Sequence, residues 1–294
     1  MTPRALFIVN PHSRRGKEHS PEVRRRLEDL GLELVGDGGE GQQDSSELIR
    51  RHRGEIDRVV VAGGDGTLNA VVQELVGTGL PLAIIPLGTA NNLARTLDLP
   101  LTIPEACKVA VRGSRRRIDL GRVNDRYFFT TASIGLSVRI TEELTSKTKR
   151  RWGPLAYGVA AVRALTRSRA FHADISWPGG SRHSRTVQIV VGNGRYYGST
   201  LPVAADATID DARLDLYSLE VRHWLEILTL VPSLRRGVHG RKDSVETLRA
   251  TEFEITTVVP HEINVDGEIC GMTPARCRVV PGALDVFAPD PGSK

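Results

Sequence analysis

Along the first third of the chain, short unbroken apolar runs alternate with stretches in which apolar residues recur every three or four positions. The unbroken runs, Ala5–Asn10, Leu32–Val35, Arg58–Ala62 and Leu82–Pro86, predict strands buried on both faces. The periodic stretches, Pro21–Leu30, Asp44–His52, Leu68–Gly77 and Asn92–Leu97, predict helices between them. Strand and helix in regular alternation fit a mostly parallel sheet covered on both faces. The N-terminal part is therefore read as a doubly wound α/β domain.

After about Arg122 the rhythm changes. Short alternating runs at Tyr127–Ile134, His172–Ser176, Arg185–Val191, Arg213–Leu219, Glu252–Thr257, Glu262–Val265 and Cys277–Val280 are spaced by Gly, Pro, Asp and Asn. This is the pattern of an all-β sandwich or barrel. Helical stretches are expected at Leu155–Arg167 and Trp224–Leu234, and a frayed tail at PDPGSK. The expected division is one domain over residues 1–122 and a second over 123–294.

Composition agrees with a globular chain: 294 residues, 40% hydrophobic and 26% charged. Cys107, Cys270 and Cys277 form no CxxC pair, so neither a disulfide framework nor a zinc ribbon is indicated. The opening MTPRALFIVNP has an apolar run too short for a signal-peptide core, and no stretch reaches the roughly 18 apolar residues that span a bilayer. A cytoplasmic location is expected. The net charge of +5 suits phosphates of any kind. With only 5% aromatic residues and no recognition-helix pattern, nucleic acid is not the expected partner.

The strongest chemical signal is Arg58-Val-Val-Val-Ala-Gly-Gly-Asp-Gly-Thr-Leu-Asn69, a buried strand that turns through GGDGT into a helix. Glycines allow close backbone approach, and free N–H groups at a helix N-terminus face an anion. Thr67 is placed either to cap that helix or to hydrogen-bond a phosphate oxygen. Asp65 is a carboxylate within reach of the same phosphates, where Mg²⁺ would have to stand between them. The plain alternative is a tight turn in which Asp65 satisfies loop amides. A second cradle, Ile84-Ile-Pro-Leu-Gly-Thr-Ala-Asn-Asn-Leu-Ala-Arg95, is expected to set Gly88 and Thr89 beside the first loop at the carboxyl edge of the sheet. Gly16-Lys17 is followed by Glu18, so the chain has no P-loop. Gly36–Gly41 matches GxGxxG but carries two acids, and reads as a loop with Asp44 as helix N-cap.

GGDGTLNAVVQEL followed by PLGTANNLARTL resembles the catalytic domain of the diacylglycerol kinase family, which includes bacterial lipid kinases and the sphingosine and ceramide kinases. The resemblance extends through Asn10-Pro11, Ile209-Asp-Asp-Ala-Arg-Leu-Asp215 and Asn264-Val-Asp-Gly-Glu268. It implies an N-terminal nucleotide-binding domain, a C-terminal β-sandwich and an active site in the interdomain cleft. It also implies that Asn10, Gly63, Gly64, Asp65, Gly66, Thr67, Leu68, Asn69, Gly88 and Thr89 bind ATP. Asp266 and Glu268 would serve the acceptor hydroxyl, with Asp65 as the third catalytic carboxylate and the resemblance leaning to Glu268 as proton acceptor. From the residues alone, Asp266-Gly267 is a hairpin turn, and Asp210-Asp211 is a solvated turn. By the resemblance Asp211, with Thr208 and Arg213, would hold a structural Mg²⁺. Three departures stand out: Ala212 replaces a usual Gly, Asn92 stands where some members have Asp, and a Thr expected near Gly38–Gly39 is missing.

The implied function is transfer of the γ-phosphoryl of ATP to diacylglycerol or a related lipid, with NAD kinase and a non-catalytic lipid-binding relative as the alternatives. The expected partners are the lipid substrate and an anionic membrane surface bound peripherally; a homodimer is left open. The segment Lys147–Leu165, with Lys149, Arg150, Arg151 and Trp152 ahead of an apolar-faced stretch, reads either as a membrane-docking element or as a helix packed on the sandwich.

Overall fold

A computed structural model of the chain describes residues 2–10, 13–36, 45–143, 169–194, 196–197, 201–202, 208–220 and 245–290. The expected helices Leu155–Arg167 and Trp224–Leu234 lie outside the described residues. So do the Lys147–Leu165 segment, most of the Gly36–Gly41 loop with Asp44, and the tail beyond Asp290. The chain divides into two compact units, residues 1–120 with 280–294, and residues 121–279.

The first unit contains β1 (Arg4–Val9), α1 (Arg14–Asp29), β2 (Glu33–Val35), α2 (Ser45–His52), β3 (Arg58–Gly63), α3 (Asp65–Leu75), β4 (Leu82–Pro86), α4 (Asn92–Thr96) and α5 (Ile103–Arg112). Its strands run in the order β2-β1-β3-β4, each neighbouring pair parallel. β3 is buried along its whole length, as a continuous apolar run in a covered sheet requires. Phe7, Leu27, Val60, Ile85, Cys107 and Phe287 belong to one of its cores. Two helices differ from expectation. α1 starts at Arg14 because Ser13 caps it, its side chain accepting the Gly16 N–H at 3.2 Å, so Pro21 sits inside the helix rather than at its start. α5 was not anticipated, although Thr102, a Pro in its first two positions, Glu105 and Arg112 mark its ends.

The chain next forms β5 (Ser114–Val123), β6 (Arg126–Phe128), β7 (Thr131–Gly135), α6 (Leu136–Glu143), β8 (Phe171–Trp177), β9 (Gly180–Thr186), β10 (Gln188–Gly192), β11 (Tyr196–Tyr197), β12 (Leu201–Pro202) and β13 (Leu214–Leu219). It continues with β14 (Val245–Ala250), β15 (Glu252–Thr257), β16 (Glu262–Val265), β17 (Glu268–Met272) and β18 (Ala275–Ala288). In the second unit one antiparallel sheet runs β14-β13-β10-β7-β16-β17. Facing it, β15 pairs antiparallel with β8 and with the first half of β18, and β8 pairs with β9. A single core takes Ile134, Ile189, Leu216 and Ile263 from the first of these sheets and Phe171, Ile175, Phe253 and Cys277 from the other. This is a sandwich. The far end of β18 returns to the first unit, where Val286 pairs parallel with Leu82 and Phe287 is buried. No helix among the described residues is long and apolar enough to cross a membrane.

Candidate active site

In the first unit, Asn10, the GGDGT loop and the PLGT loop follow the carboxyl ends of β1, β3 and β4. These strands are adjacent and parallel, with Val9 opposite Ala62 and Gly63 opposite Pro86, so all three loops leave the same edge of the sheet. That edge is where ligands bind in open α/β sheets. The two glycine loops touch. A Cβ built on Gly64 would lie 2.9 Å from the Cα of Gly88, and one built on Gly88 would lie 2.5 Å from the Cα of Gly64. These glycines serve the approach of one loop to the other. Gly66 is different: it is exposed, and an added Cβ there would meet nothing within 4 Å.

α3 opens this edge. Its N-cap is Gly64, which has no side chain to cap the first turn; the Thr67 N–H donates to the Gly64 carbonyl at 3.0 Å, and the amides of Asp65 and Gly66 remain for another acceptor. Thr67 is the third residue of α3, so it is not the cap; its hydroxyl packs back over Gly63. Of the two roles open to Thr67, capping is excluded. Leu68 and Asn69 are buried, at 2% and 8% exposure, on the inward side of α3. Asp65 is half-buried, and its Oδ1 accepts the Leu93 N–H at 3.3 Å, linking the first loop to the start of α4. Asp65 thus satisfies a first-turn amide of α4 rather than an amide of its own loop, and this contact is made to the second cradle.

Two residues of this edge had escaped the sequence reading. Asn91 adopts a left-handed φ of 51°, is buried, and donates from Nδ2 to the Gly88 carbonyl at 3.0 Å, while its Oδ1 has no hydrogen-bond partner. Asn is among the few residues that enter this conformation readily, so the Asn-Asn pair was a legible signal. Arg15, from the first turn of α1, donates to the same carbonyl at 3.2 Å. Nothing local to Arg15 marks that contact, because it joins residues 73 apart.

In the second unit, Asp266 and Gly267 form the turn between β16 and β17, with φ of 47° and 95°. Left-handed conformations at both turn positions match a type I′ hairpin, the geometry that Asp-Gly favours. The Asp266 carboxylate is fully engaged. Its Oδ2 accepts the Phe129 N–H at 2.7 Å, and its Oδ1 accepts the Thr130 N–H at 3.0 Å, the Thr130 hydroxyl at 2.5 Å and the Thr131 N–H at 2.9 Å. Burial pushes this carboxyl up from the ordinary value, while the hydrogen bonds pull the other way. Glu268, the first residue of β17, is exposed. The two carboxylates of the NVDGE motif therefore differ in kind, one anchoring the hairpin and the other presented to solvent.

Asp211 lies in the segment before β13, and its Oδ1 accepts the Arg213 N–H at 3.0 Å. Between them Ala212 has a φ of 55°, which explains why Gly is usual there: a left-handed residue with a Cβ costs roughly 1–2 kcal/mol. Thr208 is exposed beside the buried Ile209. Register joins this segment to the hairpin. Gly192 pairs with Asp215 on one side and Thr131 on the other, and the Asp266 N–H donates to the Thr131 carbonyl at 2.9 Å. The start of β13 and the Asp266 turn thus share one end of the sheet. Among the described residues no group of three or more His, Cys, Asp or Glu is arranged to hold a metal.

The family model described as Diacylglycerol kinase catalytic domain matches residues 4–123. That described as YegS C-terminal NAD kinase beta sandwich-like domain matches residues 130–288. Diacylglycerol kinases of two Staphylococcus aureus strains, bovine RF122 / ET3-1 and JH9, are each 30% identical to this chain over 297 residues, covering 99% of it and 94% of the relative. A diacylglycerol kinase structure from Bacillus anthracis str. Sterne superposes with a TM-score of 0.81 at 22% identity, covering 100% of this chain and 99% of that one. Another solved chain from that bacterium reaches 0.84 at 23% identity, covering 100% and 97%. At such identities the superpositions speak for the two-part fold, while the relatives and the catalytic-domain match speak for kinship. The chain belongs to the diacylglycerol kinase family.

Proposed function

We propose that this protein transfers the γ-phosphoryl of ATP to a hydroxyl of diacylglycerol or a related lipid alcohol, acting peripherally at an anionic membrane surface. The observation that carries the reading is the pair of touching glycine loops at the carboxyl edge of the parallel sheet, beside the uncapped N-terminus of α3. The Gly63–Thr67 loop, through the amides of Asp65 and Gly66 and the Thr67 hydroxyl, holds the nucleotide phosphates there with Asn10, Gly88 and Thr89. Leu68 and Asn69 support the loop from within α3.

Phosphoryl transfer asks for alignment, charge neutralisation and a group to take the hydroxyl proton. Glu268 is that group, and Asp266 sets its position through the hairpin. The donors present fit Mg²⁺: Asp65 at the nucleotide edge and Asp211 with the backbone of Thr208 and Arg213 offer hard oxygens. Bound Mg²⁺ supplies neutralisation of phosphate charge. Asp65 keeps the two loops in register through Leu93.

The sandwich carries a second reading, because its family model is described by likeness to NAD kinases. Both readings are tested by ³²P transfer from γ-labelled ATP in mixed micelles of diacylglycerol, sphingosine or phosphatidylglycerol, beside NAD in solution. Label is expected in diacylglycerol. Glu268→Gln is expected to slow its appearance by about 10²–10⁴-fold, the range for loss of a general base. Label in NAD alone would replace the lipid reading, and label in neither would overturn the activity.

A further inference from the structure

The second glycine loop is held by side chains on both sides of Thr89. The Gly88 carbonyl accepts from Asn91 Nδ2 at 3.0 Å and from Arg15 Nη1 at 3.2 Å, and the Ala90 carbonyl accepts from Arg95 Nε at 2.9 Å. Thr89 itself is exposed, and among the described residues its N–H has no acceptor. A peptide unit is planar and trans, so a carbonyl and the N–H that follows it point in opposite directions. Fixing the Gly88 carbonyl therefore fixes the aim of the Thr89 N–H. Asn91 is the buried half of this hold and Arg15 the exposed half. With the carbonyl drawn towards Asn91, the N–H faces away from the buried side. Asn91 is also a residue that stability alone does not select. Its backbone is left-handed, and its Oδ1 is buried without a donor, where Cβ atoms built on Gly88 and Gly64 would lie 2.6 and 4.0 Å from it. A Gly at this position would relieve both features.

We propose that Asn91 and Arg15 are positioning residues of the nucleotide site, holding the Gly88 carbonyl so that the Thr89 N–H stands ready for a phosphate oxygen of ATP. The inference rests on the kinase reading above and adds to it the residues that pre-organise the second loop. Neither side chain has to touch the nucleotide to do this. A donor fixed before the ligand arrives loses less freedom on binding than one that must be ordered at that moment. Arg15 comes from the first turn of α1 and Asn91 from the turn before α4, so the hold also ties the loop after β1 to the loop after β4.

The test uses the full chain with MgATP in titration calorimetry, beside thermal melts without ligand. N91G keeps the left-handed backbone and removes the side chain, so its ligand-free melting temperature should hold while ATP binds about tenfold more weakly, the scale of one hydrogen bond to a charged group. R15A should weaken ATP binding in the same direction with its melting temperature unchanged, and R15K, whose ammonium can donate to the same carbonyl, should recover most of the loss. In steady-state assays the KM for ATP should rise in N91G and R15A while that for diacylglycerol stays. Because both side chains act on one carbonyl, the fold-change of N91G/R15A should depart from the product of the two single effects; a product obeyed within about twofold is the mark of independent sites and overturns the proposal. In ¹⁵N-threonine-labelled protein, the amide signal that vanishes in T89S identifies Thr89, and it should shift when MgATP is added to the wild type. A Thr89 signal that ATP leaves in place overturns the proposal, as does N91G with wild-type affinity or with a melting temperature that falls alongside its affinity. A wild type that binds no ATP would instead overturn the kinase reading on which the proposal rests.

Discussion

Gly64, Gly66 and Gly88 stand within one edge of the first unit, yet their surroundings assign them different work. The backbone contact between Gly64 and Gly88 leaves no room for a methyl: on Gly88 it would also lie 2.6 Å from Asn91 Oδ1. Gly88→Ala is expected to destabilise by about 1–3 kcal/mol, as overpacking does, and to weaken ATP binding. Gly66→Ala meets open space inside α3, where Ala is favoured over Gly by roughly 0.5–1 kcal/mol. Its melting temperature should hold or rise while the KM for ATP rises, because a methyl stands where phosphates approach. Thermal melts beside ATP titrations check both, and equal melting points would refute the assignment. Asp266→Asn belongs at this scale too. It sets an amide NH₂ among donors that all point at the carboxylate, and hydrogen bonds to charged groups are worth about 1.5–3 kcal/mol each. A marked fall in denaturation midpoint is expected, with activity lost alongside.

At the scale of elements, signals that act over a few residues were readable and those that close over long separations were not. The Asp266-Gly267 turn followed from its dipeptide, and the strand before GGDGT from its unbroken apolar run. The helix Ile103–Arg112 was missed, and part of what holds it is remote. Arg58, buried at 8% exposure on β3, donates from Nη1 to the carbonyls of Ala110 and Val111 at 2.9 and 3.2 Å, and lies over the Phe287 ring at 4.3 Å. A cation at a helix C-terminus complements the helix dipole, and burial lowers the affinity of this guanidinium for its proton. Arg58→Met keeps the volume and removes both bonds. A loss of about 2–3 kcal/mol is expected from urea denaturation, since two carbonyls lose donors. An unchanged midpoint would show that α5 does not depend on Arg58.

For the whole molecule, the decisive feature is the return of the chain to its first unit. Val286 joins β4 and Phe287 enters the core beside Arg58. A fragment of residues 1–122 should therefore be poorly folded by circular dichroism, and appending residues 280–290 through a Gly/Ser linker should restore cooperative melting. Each unit also carries a buried thiol. Burial pushes Cys107 up to about 11 and Cys277 up to about 12. A thiol with a raised folded-state value favours the native state only up to its unfolded value of about 8.5, and the advantage is lost as pH rises towards the folded value. At pH 8 both thiols should react with Ellman's reagent only through opening of their own unit. Prompt labelling of either in native protein would contradict that burial.

The sequence by itself determined the two-part fold, the glycine loops at strand ends and the turn that carries Asp266, because periodicity, turn chemistry and short motifs act between near neighbours. Tertiary structure alone decided that Gly64 faces Gly88, that Arg15 reaches the second loop, that Asp266 is engaged while Glu268 is exposed, and that the last strand completes the first core. Those outcomes depend on contacts between residues far apart in the chain, which form only when packing brings them together.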